Sequence, residues 1–235
     1  MKGRNKMSYK LAIFDLDGTI LDTLEDLKES TNAALATNGY PERTLDEVRC
    51  FVGNGIGKLI ERAVPTGTSP EETAKTLESF KKHYGEHCAD HTKPYDGIPK
   101  LLSDLKENGI QAAVVSNKAD FAVQELCNQY FPGAFDFVVG ERESIRRKPC
   151  PDSVFEVLKT LKKTAGEAVY IGDSDVDVET AKQAGMDGIF VNWGFRGREF
   201  LLEHGAEIIV DTPEELEEKL LQGKPKNIPV WENIL

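Results

Sequence analysis

The stretch YKLAIFDLDGT, residues 9–19, decides the predicted fold. Its apolar half, residues 9–14, has the length and composition of a buried strand, and polar residues follow at once. Similar apolar runs return at residues 111–115, 135–139, 168–171 and 188–191, with a weaker one at 207–210. Each run is predicted to be a strand of one sheet.

Helical patterns separate these runs. Residues 98–108 place four apolar side chains on one face and end before Gly109, a residue suited to the end of a helix. Residues 152–163 repeat the pattern, and residues 178–184 form a shorter helix closed by Gly185. Because strands and helices alternate, the sequence predicts an α/β fold with a Rossmann-like parallel sheet core and helices on both faces.

The alternation is interrupted between residues 22 and 93, where only helical patterns occur. We interpret this stretch as an inserted α-helical cap domain. Asp22 and Asp26, at its beginning, are interpreted as a helix N-cap and a first-turn charge. The predicted domains are a discontinuous α/β core, residues 1–21 and 94–235, and a cap, residues 22–93. The tail from residue 223 is expected to pack on the surface or to lie loose.

Composition excludes several classes of function. The 235 residues carry a formal net charge of −11, whereas general nucleic-acid binding leaves a basic footprint. No apolar run approaches the roughly 20 residues of a membrane helix, and the N-terminal apolar run is too short for a signal peptide. The four scattered cysteines indicate neither a zinc site nor a disulfide framework. We therefore expect a cytoplasmic protein that binds neither nucleic acid nor membranes.

Residues capable of chemistry occur in four segments: 15–19 (DLDGT), 116–118 (SNK), 148–152 (KPCPD) and 172–177 (GDSDVD). Ligands bind at the carboxyl ends of the strands in open parallel sheets, so we expect one shared site. The segments supply carboxylates, a lysine, and hydroxyl or amide donors. Phosphoryl transfer needs a nucleophile, cations that neutralise the phosphate, and a proton for the leaving oxygen. Hard oxygen ligands favour Mg²⁺, and the sequence lacks a Walker-type phosphate loop.

The four segments, in this order, resemble the motifs of the haloacid dehalogenase-like superfamily. The resemblance extends over about residues 9–221, and the helical insert is similar to the small α-helical cap of this superfamily. Residues 53–55 (GNG) and 192–195 (NWGF) resemble phosphoglycolate phosphatases in particular. The resemblance implies a Mg²⁺-dependent phosphatase that forms an aspartyl-phosphate intermediate.

It also implies a role for each motif residue. Asp15 is the implied nucleophile and Asp17 the general acid and base. Mg²⁺ is held by Asp15, Asp173 and the backbone carbonyl of Asp17, and Asp177 acts from behind them or through water. Ser116 and Lys148 bind the phosphate during catalysis. The residues assigned to substrate binding are Thr19, Asn117, Asn54 and Arg62.

The cap loop and Lys118 leave two interpretations open. Glycines at a helix entrance suit an anion, so Asn54 and Arg62 are predicted to bind the carboxylate of 2-phosphoglycolate. Equally, the loop needs glycine only for its turn, and Arg62 is a surface partner of Glu61 or of another acidic residue. Lys118 is either a helix-start charge or a residue directed at phosphoglycolate.

The predicted partner is a small phosphorylated substrate, most simply 2-phosphoglycolate. Pyrophosphate, a nucleotide or a sugar phosphate is the alternative within the fold. A signalling receiver with a phospho-accepting aspartate is the alternative of another class, although receivers are shorter and have no cap. We expect a monomer or a homodimer.

Overall fold

The computed structural model describes residues 9–143 and 145–223, so the predicted tail beyond residue 223 and the first eight residues of the predicted core lie outside it. Six parallel strands form one sheet: β1 Leu11–Phe14, β4 Gln111–Ala119, β5 Phe137–Glu141, β6 Ala168–Gly172, β7 Asp187–Val191 and β8 Ile209–Val210. Their order is β5-β4-β1-β6-β7-β8. The strands that follow β1 in the chain lie on both sides of it: β4 and β5 on one side, and β6, β7 and β8 on the other. This change of direction creates a switch point at the carboxyl end of β1.

Strand β1 is fully buried because helices cover both faces of the sheet. Ala12 and Phe14 pack into the apolar core of one face, and Leu11 and Ile13 into that of the other. Helices α5 Ile98–Glu107, α6 Asp120–Tyr130 and α10 Pro213–Gln222 cover the first face; α7 Asp152–Thr160, α8 Asp175–Ala184 and α9 Arg198–Glu203 cover the second. The predicted fold class is confirmed.

Four helices make up the insert, which we call the cap: α1 Leu24–Thr37, α2 Leu45–Phe51, α3 Ile56–Ala63 and α4 Pro70–His87. They enclose an apolar core of their own, with Leu35, Ile60 and Phe80 fully buried. An antiparallel pair, β2 Leu21–Asp22 and β3 Lys93–Pro94, lies where the chain leaves and re-enters the α/β core. These positions coincide with the predicted domain boundaries, and the division into two domains stays a prediction.

Several element boundaries differ from the prediction. Strand β5 lies two residues further along the chain than predicted, and β4 continues four residues further. Helix α8 begins at Asp175 because the Ser174 side chain accepts a hydrogen bond from the amide of Asp177 and caps its first turn. Helix α6 was not predicted; it follows β4 directly and its N-cap, Ala119, offers no side-chain cap as a signal. Among the residues described, no helix is both long and apolar enough to cross a membrane.

Candidate active site

The predicted site residues meet at the carboxyl ends of three neighbouring strands. Asp15 follows β1, Ser116 lies in the last part of β4, and Asp173 follows β6. They line a cleft of about 50 Å³ between the α/β core and the cap. The cap contributes an apolar wall, formed by Leu27, Val52, Ile56 and Leu59. The cleft therefore has a charged floor, formed by the core, opposite the apolar wall formed by the cap.

Three carboxylates form the floor. Asp15, Asp173 and Asp177 each place one oxygen within 4.8 Å of the others. Lys148 Nζ lies 2.9 Å from Asp15 Oδ1 and 2.8 Å from Asp177 Oδ1. Because three buried carboxylates face one buried lysine, the group has an excess of negative charge. A hard divalent cation with oxygen ligands fits this donor set.

The pKa values reflect the same excess of charge. Burial raises the pKa of Asp15 to about 7; Lys148 opposes this rise and the charge of Asp177 adds to it. Burial also raises the pKa of Asp173 well above its usual range, with further contributions from Asp177 and Asp15. A cation bound between these groups would favour their ionised forms.

Asp177 has both carboxylate oxygens engaged by protein groups. Oδ1 accepts hydrogen bonds from Lys148 Nζ and from Tyr170 Oη, at 2.8 and 3.1 Å. Oδ2 accepts from Ser174 Oγ at 2.6 Å and from the amides of Asp173 and Ser174. Its side chain thus fixes the turn that carries Asp173. This arrangement fits the predicted role behind the metal ligands or through water rather than a direct contact.

Asp17 lies apart from the carboxylate cluster. Its Oδ1 accepts hydrogen bonds from Thr23 Oγ1 and Lys118 Nζ, both at 2.7 Å. Its predicted metal contact involved only the backbone carbonyl. The side chain is free of the three clustered carboxylates, as a general acid and base requires.

Lys118 is a site residue that the sequence left undecided. Its side chain is 4% exposed, and Nζ lies 4.9 Å from the ring centroid of Tyr84 in cap helix α4. Burial acts to lower the pKa of Lys118, but the Asp17 carboxylate and the Tyr84 side chain together outweigh burial and raise it. The helix-start interpretation is wrong, because β4 continues to Ala119 and carries Lys118 into the cleft. The available signal was its spacing of two residues from Ser116, which is the period of a strand.

Three core residues were predicted to bind the phosphate or the substrate, and they do not all reach the cleft. Ser116 and Asn117 line the cleft. Asn117 Oδ1 accepts from the amide of Lys148 at 2.9 Å, and its Nδ2 donates to the carbonyl of Gly53 in the cap at 3.2 Å. Thr19 is fully buried and donates to Asp173 Oδ1 at 3.3 Å. Thr19 therefore supports a metal-ligand candidate from behind.

Asn54 and Arg62 are not among the residues that line the cleft. Arg62 is exposed, and its guanidinium donates to the carbonyl of Phe51 and to Asn54 Oδ1, both at 2.8 Å. Phe51 ends helix α2, whose last carbonyls lack partners within the helix. Asn54 and Arg62 thus stabilise the loop between α2 and α3 and do not lie beside the three carboxylates.

Two neighbouring residues of the β7–α9 loop also reach the site. The amide of Phe195 donates to Asp173 Oδ2 at 2.7 Å, which orients that carboxylate. Arg196 lines the cleft and extends to the cap. Arg196 could not be predicted as a site residue, since a single arginine after a Gly-Phe pair carries no chemical signature.

Comparisons with known proteins identify the family of this chain. Residues 12–191 match the family model described as haloacid dehalogenase-like hydrolase. Because the match covers most of the chain, the protein belongs to this family. The predicted family and the predicted enzyme class, a hydrolase, are confirmed, and the receiver alternative is set aside.

Individual relatives are similar over nearly the whole chain. A phosphoglycolate phosphatase from Aquifex aeolicus is 33% identical over 187 residues, covering 79% of this chain and 86% of the relative. A proposed phosphoglycolate phosphatase from Lactobacillus delbrueckii subsp. bulgaricus has a crystal structure with a TM-score of 0.88 and 42% identity, covering 92% of this chain and 99% of that one. An N-acetylmuramic acid 6-phosphate phosphatase from Pseudomonas aeruginosa is 32% identical and covers 90% of this chain and 94% of the relative.

Proposed function

We propose that this protein is a Mg²⁺-dependent phosphatase that hydrolyses 2-phosphoglycolate through an aspartyl-phosphate on Asp15. The observation that carries the proposal is the position of Asp15, which contacts Lys148 and clusters with two further carboxylates at the switch point of the sheet. A lone buried aspartate would be a poor nucleophile near an anionic phosphate. Here Lys148 lies beside the nucleophile, and the clustered carboxylates would hold a cation that would neutralise the remaining charge of both reactants.

Asp15 and Asp173, with the backbone of Asp17, would hold Mg²⁺, and Asp177 would orient Asp173. Bound Mg²⁺ supplies Lewis-acid neutralisation of the phosphate oxygens. The protein residues account for the remaining requirements. Lys148 Nζ contacts Asp15 and, in our proposal, the phosphate, and the Ser116 hydroxyl donates to a second phosphate oxygen. An oxygen of Asp15 attacks phosphorus, and the bond to the leaving oxygen breaks.

Asp17 completes the reaction in two proton transfers. It donates a proton to the leaving oxygen, and then accepts one from the water that attacks the aspartyl-phosphate. Thr23 and Lys118 hold Oδ1 of Asp17 in place, so one orientation serves both steps. Restricting the acid in this way contributes to rate, since proton transfer by a positioned side chain contributes roughly 10²–10⁴-fold.

The shape of the cleft supports a small leaving group. Its volume is only about 50 Å³, and the cap covers it with an apolar wall. Two cations line it among the described residues: Lys118, which is paired with Asp17, and Arg196, whose guanidinium is bonded to carbonyls of the cap. A compact leaving group is therefore favoured over a bulky one, and 2-phosphoglycolate has such a leaving group.

A sugar phosphate is the second candidate, because the relative from Pseudomonas aeruginosa that acts on N-acetylmuramic acid 6-phosphate covers as much of this chain as the others. That substrate also carries a carboxylate, but its hexose ring needs a wider opening between cap and core. The predicted cytoplasmic location and the monomeric or homodimeric state remain predictions.

The test is phosphate release from 2-phosphoglycolate, N-acetylmuramic acid 6-phosphate, pyrophosphate and a nucleotide, each with Mg²⁺ and with excess chelator. We expect the highest kcat/KM for 2-phosphoglycolate, and no turnover with chelator. The Asp15→Asn variant should lose several orders of magnitude in rate because an amide is not a nucleophile. A higher kcat/KM for the sugar phosphate would overturn the proposal that 2-phosphoglycolate is the substrate. Full activity of Asp15→Asn would overturn the mechanism.

A further inference from the structure

A single arginine of the α/β core donates hydrogen bonds to the end of a cap helix. Arg196, in the loop between β7 and α9, donates from Nη1 to the carbonyl of Arg49 at 2.8 Å. Its Nη2 donates to the carbonyls of Val52 and Cys50, at 2.6 and 3.4 Å. All three acceptors belong to the last turn of α2 and its C-cap. One guanidinium thus joins the two parts of the molecule that enclose the cleft.

The last turn of α2 suits this contact for two physical reasons. Its final carbonyls have no partners within the helix, and the negative end of the helix dipole favours a cation. The planar guanidinium presents several N–H donors in a fixed fork, so it can reach neighbouring carbonyls at the same time. A lysine would supply the charge but not this geometry.

The same region of the core makes two further contacts with the cap. The side chain of Phe195 packs against the apolar core of the cap. Asn117 Nδ2 donates to the carbonyl of Gly53, the residue that follows the α2 C-cap. Arg196 also lines the cleft, so its contact with α2 lies at the edge of the space that holds the leaving group. Loss of this contact would widen the cleft at that edge.

We infer that Arg196 is a positioning residue that holds the cap closed over the cleft and so limits the size of the leaving group. This inference rests on the proposed function, because the size limit matters only if the cleft receives a phosphate ester. Phe195 links the same loop to Asp173, so the segment that holds the cap also orients a proposed metal ligand. One short loop therefore contacts both the cap and the carboxylate cluster.

The test compares Arg196→Ala and Arg196→Lys with Arg198→Ala. Arg198 lies two residues away and forms an exposed pair with Asp211, outside the cleft, so its variant is the matched control. Two substrates are used: 2-phosphoglycolate and p-nitrophenyl phosphate, whose aromatic leaving group is larger. Hydrogen exchange of the amides in residues 45–55 is measured on the same proteins, since it reports cap contacts without catalysis.

For Arg196→Ala we expect kcat/KM for 2-phosphoglycolate to fall roughly 10-fold or more, mainly through a higher KM, because the cap no longer holds the substrate in place. Turnover of p-nitrophenyl phosphate should stay unchanged or rise. Exchange in residues 45–55 should become faster. In kcat/KM and in exchange rate, Arg196→Lys should fall between the wild type and Arg196→Ala. Arg198→Ala should match the wild type in both.

Equal losses on both substrates would overturn the inference, as would unchanged exchange in residues 45–55. If Arg196→Ala does not fold, Arg196→Lys is judged by the same two criteria. Failure of the proposed function looks different: the wild-type protein would then hydrolyse neither substrate with Mg²⁺. The exchange measurement still tests the contact between cap and core in that case.

Discussion

Four aspartates of the site have the same side chain but different surroundings. Asp15 contacts Lys148 and has a raised pKa, whereas Asp17 is paired with Thr23 and Lys118. Asp177 is saturated by protein donors, and Asp173 is held by the amide of Phe195. Hydrogen-bond partners, not residue type, set the direction of each carboxylate, and burial raises the pKa of Asp15 and Asp173.

The Asp17→Asn variant should separate the two halves of the proposed reaction. With a good leaving group such as p-nitrophenolate, attack by Asp15 continues, but hydrolysis of the aspartyl-phosphate stalls because no base activates water. Intact-mass measurement after rapid acid quench should detect a protein that carries one phosphoryl group. The double variant Asp15→Asn/Asp17→Asn is the control and should carry none. Fast turnover by Asp17→Asn would assign the acid and base role to another residue.

At the scale of elements, a buried aspartate joins the two ends of the cap. Asp26 in α1 is 1% exposed and accepts hydrogen bonds from the amides of His91 and Thr92 and from Thr92 Oγ1, at 2.6–2.8 Å. Asp26 does lie in the first turn of α1, as predicted, but its carboxylate is buried and bonded to a distant segment, which the prediction did not include. The N-cap of α1 is Thr23 rather than Asp22. Pairing with a segment 65 residues away leaves no local sequence signal.

Asp26→Ala should lower the free energy of unfolding by about 3 kcal/mol, because it leaves buried N–H and O–H donors without an acceptor. Urea denaturation followed by circular dichroism measures this loss. Glu29→Ala is the matched control on the same helix: Glu29 forms an exposed pair with His91 at 3.4 Å. An exposed pair of this kind contributes roughly 0–1 kcal/mol. Similar losses for both variants would contradict the structural role of Asp26.

For the whole molecule, metal binding and pH should be coupled through Asp15. Its pKa is about 7 in the folded protein, raised by burial, against roughly 3.9 in an unfolded chain. Between these values the folded state binds more protons, so this group makes the metal-free protein less stable as pH rises from about 4 to 7. Mg²⁺ should replace that proton and remove the penalty.

We therefore expect Mg²⁺ to raise the melting temperature more at pH 8 than at pH 6, as scanning fluorimetry can measure. At a concentration of 100 times Kd, bound Mg²⁺ adds about 2.7 kcal/mol of stability. Asp173→Asn should abolish most of the Mg²⁺ effect. Asp175→Asn, two residues further along and outside the carboxylate cluster, should retain it. A Mg²⁺ effect that is independent of pH would exclude Asp15 as the coupled group.

The sequence by itself determined the α/β core, the inserted helical cap and the motif residues of the site, because buried strands and their polar ends are written locally. Residues 9–19 needed no distant information: the apolar run predicts β1, and the aspartates after it must lie at its carboxyl end. Only the tertiary structure decided which cations and amides meet those aspartates. Lys118, Phe195 and Arg196 act on partners that lie 22 to 147 residues away in the chain. Such pairings follow from strand order and from how the cap sits on the core, and no local pattern encodes them.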